Sequence, residues 1–117
     1  MNREDFKKRT RQYALRVIRL VESLPVDRTS RVLGDQLLRA GTSVGANYRS
    51  SIRAKSRADF ISKMGTVEEE CDESLYWMEL LIEAGKIPSR RLAALMQEGS
   101  EIVAIVVASI RTARNRS

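Results

Sequence analysis

The sequence predicts an all-α protein: one domain over residues 1–117, folded as an antiparallel, up-down-up-down four-helix bundle. Three observations predict it. Apolar residues recur every three or four positions through four segments, the period of a helix with one buried face. The stretches between the segments are short, so consecutive helices must reverse and pack side by side. A chain of 117 residues, 43% of them hydrophobic, is long enough for one modest core.

The first segment runs from about Arg3 to Leu24. Phe6, Tyr13, Ala14, Val17, Leu20, Val21 and Leu24 share a face, and Pro25 stops the helix. Lys8, Arg9, Arg16 and Arg19 occupy the other side. The second segment starts near Ser30, an N-cap residue type. Its stripe is Leu33, Leu37, Ala40, Val44, Tyr48 and Ile52, with Arg31, Arg39, Arg49, Arg53 and Arg57 opposite. Ser56, with Asp59 three positions on, opens the third segment as a variant capping box. Phe60, Met64, Val67, Cys71, Leu75, Met78 and Ile82 form its stripe, and Gly85 ends it. Ser89 is the expected cap of the fourth segment. Leu92, Leu95, Met96, Gly99, Ile102, Val103, Val106, Ile110 and Ala113 line its inner face, and "RTARNRS" follows as a basic tail.

The stretch "LRAGTSVGANYRSS", Leu38 to Ser51, tests the reading. A phosphate-binding P-loop requires a lysine after its second glycine and a strand before its first. Here Ala46 follows Gly45, and no strand pattern precedes Gly41. The apolar stripe passes through without losing phase, so the stretch reads as helix interior. Each glycine there costs about 1 kcal/mol relative to alanine, which calls for a packing reason. Gly41 and Gly45, four apart, let another backbone approach closely, and are assigned to an oligomer interface. Asn47 is either a buried amide that fixes register or an edge residue that meets water.

Composition removes several functions. The chain has no histidine, the commonest general base and metal ligand. One cysteine, Cys71, forms no internal disulfide and suits a reducing cytoplasm. The acidic cluster "EEECDE", Glu68 to Glu73, lacks the Glu-x-x-His pairs of bundle di-iron sites and is expected to form salt bridges to arginines of the first two helices. No catalytic constellation, metal site or cofactor is expected, and so no enzyme. The longest apolar run, "IVAIVVASI", is too short to span a bilayer, so no membrane role is expected.

What remains is charge and exposed aromatic surface. The net charge is +6, and residues 1–57 alone hold 14 Lys/Arg against 5 Asp/Glu. Arg49, Arg53, Lys55 and Arg57 form one basic ridge; Lys7, Lys8, Arg9 and Arg11 form another. Such ridges attract phosphates without reading sequence, which makes RNA or DNA the expected partner. Tyr76, Trp77 and Leu80 fall outside the third helix's stripe and are expected to form a subunit interface.

The segment "QLLRAGTSVGANYRSSIRAKSRADFISKMGTVEEECDESLYWMELLIEAG", Gln36 to Gly85, resembles the bacterial four-helix-bundle proteins related to the 23S rRNA intervening-sequence protein. The pair "RAGTSVGANYR" and "SRADFISKMG…ESLYWMELL" carries the resemblance; the outer helices match in pattern. The resemblance implies an antiparallel bundle assembled as a homopentamer, without established enzymatic activity. The chain is also similar to the accessory variability proteins of diversity-generating retroelements, which implies a nucleic acid and a reverse transcriptase as partners. Many members carry N-x-x-E after the small-residue stretch; here Asn47 is followed by Ser50, so any role of that glutamate does not carry over.

Overall fold

A computed structural model describes residues 1–116. Four helices, α1 (Arg3–Glu22), α2 (Arg28–Ser51), α3 (Arg57–Glu83) and α4 (Ser89–Arg114), are joined by five-residue connections. Each helix backbone packs on two others: α1 on α2 and α4, and α3 on α2 and α4, while the diagonal pair α1 and α3 meets through side chains. Contacts between α1 and α2 run in opposite order. Val21 and Leu24 meet Gly34, Val17 meets Gly41, Thr10 meets Gly45, and Phe6 meets Tyr48. The result is a rod of 51 × 22 × 21 Å.

The caps explain the boundaries. Asn2 caps α1 by accepting from the Asp5 N–H at 2.8 Å. Asp27 caps α2, three residues earlier than Ser30: its carboxylate accepts from the Ser30 N–H at 2.8 Å and from the Ser30 hydroxyl at 3.1 Å. A carboxylate at the helix start also opposes the positive end of the helix dipole, which favours Asp27 over the serine. Ser56 caps α3 as its spacing predicts, accepting from Asp59 N–H at 3.0 Å. Asp59 reaches back one residue beyond the cap, to the Lys55 N–H at 3.0 Å. The α3 end is a Schellman turn, with Gly85 at φ +73°. Gly85 N–H donates to Ile82 at 3.0 Å and Lys86 N–H to Leu81 at 2.9 Å. Pro88, not Ser89, is the N-cap of α4, and no side chain bonds to that helix start. Pro88 supplies the extended backbone geometry and lacks an N–H of its own, so Ser89 becomes the first helical residue.

The core follows the predicted stripes with a shift in α3. Ser74 and Leu81 are buried there, while Leu75 and Ile82 are half-buried. The buried set Met64, Val67, Cys71, Ser74, Met78 and Leu81 keeps alternating steps of three and four, whereas the predicted stripe takes two steps of four in a row, Val67 to Cys71 to Leu75, and so turns off the buried seam. Ser74 is tolerated because its hydroxyl donates to the Cys71 carbonyl at 2.6 Å and accepts from Tyr13 Oη at 2.8 Å. Cys71 is buried, its Sγ 3.4 Å from the Gly99 carbonyl, and burial pushes its thiol up to about 12. Gly99 makes room for this network: a methyl group there would lie 2.7 Å from the Tyr13 hydroxyl oxygen.

The nine-residue apolar run understates α4. The whole helix is long and apolar enough to cross a membrane by length and composition. Its inner stripe, Leu92, Leu95, Ile102, Val106 and Ile110, is the bundle's own core.

Candidate nucleic-acid interface

Reversal of successive helices brings four termini together at one end of the rod: the start of α1, the end of α2, the start of α3 and the end of α4. Residues 1–11, 49–63 and 111–116 meet there, with 13 Lys/Arg against 3 Asp/Glu. The rest of the chain holds 8 Lys/Arg against 12 Asp/Glu. The fold therefore separates charge lengthwise. The starts of α1 and α3 bring two positive helix-dipole ends here and the ends of α2 and α4 bring two negative ones, so the dipoles offset one another and the side chains carry the excess charge.

Within that end lies a shallow groove lined by Ala46, Arg49, Ser50, Arg53 and Lys63. Arg49 and Arg53 lie one turn apart across the α2 terminus, and both are exposed. Among the described residues neither has a carboxylate within ion-pair distance. Lys63, which the sequence reading did not assign, joins them from α3 while its ammonium also lies 3.0 Å from Asp59. Ion pairing and the Lys55 N–H hold the Asp59 carboxyl below its ordinary range, the backbone bond contributing most. Lys63 was missed because its helical position places it beside the ridge only after α3 folds back on α2. Lys55 and Arg57 are exposed beside the groove, in the connection and the first turn of α3.

A second feature at this end is a cavity of about 500 Å³. Phe6, Tyr48 and Phe60 form aromatic wall, and Arg3, Arg57 and Arg116 stand at its margin. Phe6 and Tyr48 meet edge to face with centroids 4.7 Å apart. Burial raises the Tyr48 phenol above its ordinary range, so it stays a neutral hydrogen-bonding group. The guanidinium of Arg57 donates to the Arg116 carbonyl, tying the start of α3 to the chain beyond α4.

The α1 cluster is divided. Lys8 and Arg11 are exposed, and Lys7 lies 3.5 Å from Glu4. Arg9 is withdrawn from the ridge assigned to it. It donates to both oxygens of Glu98 at 2.7 Å and to Glu101 at 2.8 Å, joining α1 to α4. The Glu98 hydrogen bonds raise its already high pKa further, so it stays charged and neutralised in place. The acidic cluster behaves as expected toward α2 only: Arg39 pairs with Glu70 at 3.0 Å and with Glu73.

The assigned interface residues also divide. Gly41 and Gly45 pack against α1 within the single chain. A Cβ on Gly41 would lie 2.8 Å from both methyl groups of Val17, and one on Gly45 3.1 Å from the Thr10 hydroxyl oxygen. The close approach that two helical glycines require is that of α1. Asn47 is half-buried and resolves locally, donating to the Ser43 carbonyl at 2.8 Å. Trp77 does not point away from the core. It is half-buried against it, and its indole N–H is enclosed without a partner. Leu80 is half-buried beside it. Tyr76 remains 51% exposed, its ring 5.1 Å from that of Trp77.

The fold and its cationic end define a class first: a basic four-helix bundle with its charge gathered where the helix termini meet. The 23S rRNA-intervening sequence protein family model matches residues 3–108, and the chain belongs to that family. Among solved structures, the chain is similar to a protein of unknown function from the S23 ribosomal protein family of Bacteroides thetaiotaomicron VPI-5482. The two are 33% identical with a TM-score of 0.87, over 95% of this chain and 99% of that one. A search of curated proteins gives no match.

Proposed function

We propose that this protein is a non-enzymatic, self-associating bundle that binds RNA or DNA through its cationic end. The observation that carries the proposal is the groove of Arg49, Arg53 and Lys63, with two guanidinium groups free of acidic partners among the described residues, at an end holding 13 basic residues against 3 acidic ones. Such an array recognises phosphate through charge and hydrogen bonding, with little dependence on base sequence. The family's name, which refers to 23S rRNA, makes a structured RNA the natural first probe. The setting proposed is cytoplasmic. The assembly proposed, from the resemblance, is a homopentamer, with a reverse transcriptase as a further protein partner. Repeating the cationic end around a symmetry axis would sum its field.

Filter binding of RNA and duplex DNA across a salt series tests the reading. The expected result is affinity at low salt that falls steeply, with a log–log slope of about −2 for each groove engaged. A slope near zero, or no retention at low salt, defeats it. One observation favours a protein–protein scaffold as the second reading: Tyr76 lies 51% exposed over Trp77 on α3. Tyr76→Glu is expected to lower the assembled mass in light scattering. An unchanged mass removes Tyr76 from the interface.

A further inference from the structure

The cavity at the cationic end combines two chemistries that the groove alone does not require. Its wall contains both phenylalanines of the chain and one of its three tyrosines. Its margin contains arginines from three places in the chain: Arg3 on α1, Arg57 on α3 and Arg116 beyond α4. Ser109 and Thr112, on α4, also line it. Its size, about 500 Å³, falls within the range of pockets that enclose small organic groups. An anion bound by charge alone needs no aromatic wall, and a purely apolar ligand needs no arginine margin. The ligand that uses both is planar, apolar on its faces, hydrogen-bonding at its edge and attached to phosphate.

Resting on the nucleic-acid reading above, we propose that this cavity receives one unpaired nucleotide of a single-stranded segment. The base enters among Phe6, Tyr48 and Phe60, and its flanking phosphates lie on Arg3, Arg57 and Arg116. Base–aromatic stacking tolerates any base because every base has a π-face, so the cavity adds preference for strand state and little for sequence. The neutral Tyr48 phenol and the α4 hydroxyls can serve the base edge as donors or acceptors. A paired base has its edge occupied and its faces stacked, so a duplex reaches only the outer groove. The cationic end then carries two functions side by side: phosphate attraction by Arg49 and Arg53, and strand-state selection by the cavity.

The test compares a single-stranded oligonucleotide carrying one 2-aminopurine with its duplex, by anisotropy and by 2-aminopurine fluorescence at fixed salt. The single strand is expected to bind more tightly, with a saturable change in 2-aminopurine emission. Phe60→Ala is expected to weaken single-strand binding roughly ten-fold and leave duplex binding unchanged. Ser109→Phe fills the cavity and leaves its aromatic wall in place, and is expected to do the same, which guards against a folding defect in the first variant; helicity by circular dichroism is checked for both. Equal affinity for single strand and duplex, unaffected by either variant while Arg53→Ala weakens both, overturns the cavity proposal and leaves the groove reading standing. Absence of binding to either form overturns both. Saturable, Phe60-dependent uptake of a twelve-carbon carboxylate with no strand preference assigns the cavity to a lipid and overturns the proposal.

Discussion

The two ends of this rod are built from the same four helices and differ in almost every other respect. At the end opposite the cavity, a set of polar groups is paired across the connections. Asp27 caps α2 and lies 3.5 Å from the Lys86 ammonium, Arg91 donates to the Ser23 hydroxyl at 3.0 Å, and Gly85 closes a Schellman turn. Leu24 and Val21 cover Gly34 beneath them. At the cationic end, Arg49 and Arg53 have no carboxylate within ion-pair distance among the described residues, and the helix termini surround a cavity. One end is braced by contacts among its own residues. The other concentrates like charge, which destabilises an isolated chain and is relieved by an anionic partner.

The largest expected effect strikes the seam that joins the two ends. Gly41→Val forces a branched side chain to within 2.8 Å of the stiff Val17 methyl groups. A loss of about 1–3 kcal/mol in denaturant unfolding is expected. A neutral outcome would mean that α1 shifts freely and that the ends are not rigidly coupled.

Next in size, the double change Arg49→Ala with Arg53→Ala should cut nucleic-acid affinity at least ten-fold at low salt and flatten the salt slope by about 2. Thermal stability should hold or rise, because like charges are removed. Reduced stability with unchanged binding would reverse the assignment of the two ends.

Asp27→Ala probes the braced end. The Ser30 N–H, foremost, holds the Asp27 carboxyl below its ordinary range, with the Ser30 hydroxyl and Lys86 adding to it. A carboxyl with a depressed folded-state pKa stabilises above its unfolded value and loses that contribution as pH falls through the folded one. The melting temperature should therefore hold from pH 7 to 5 and fall below about pH 4, near the unfolded carboxylate value. Asp27→Ala should lower the melting temperature by a few degrees at pH 7, shrink the acid-side fall, and leave nucleic-acid binding untouched. The smallest effect is a gain. Gly65 is helical with open space where a Cβ would stand, so Gly65→Ala should add about 0.5–1 kcal/mol.

Much of the fold was legible in the residues because helix signals are local. The stripes of Phe6–Tyr13–Val17 and Leu92–Leu95–Ile102 give the buried faces directly, and Ser56 with Asp59 marks the α3 start. Where the residues misled, the deciding contact was remote. Arg9 reads as free cation until Glu98 and Glu101 arrive from 89 and 92 positions away. Trp77 reads as exposed because α3 is apolar on more than one side, and only the neighbouring helices show which sides are covered. Gly41 and Gly45 announce a close approach without saying whose backbone approaches.

By itself, the sequence determined four amphipathic helices, their approximate limits, an excess of basic charge and a glycine seam in α2. These depend on residue types a few positions apart. Tertiary structure alone decided where the charge is usable. Reversing the chain three times laid residues 1–11, 49–63 and 111–116 at one end, assembled the cavity from four separate termini, and matched Arg9 with carboxylates. Periodicity is written along the chain, but an electrostatic field and a cavity are sums over neighbours in space, and those neighbours exist only once the helices have packed.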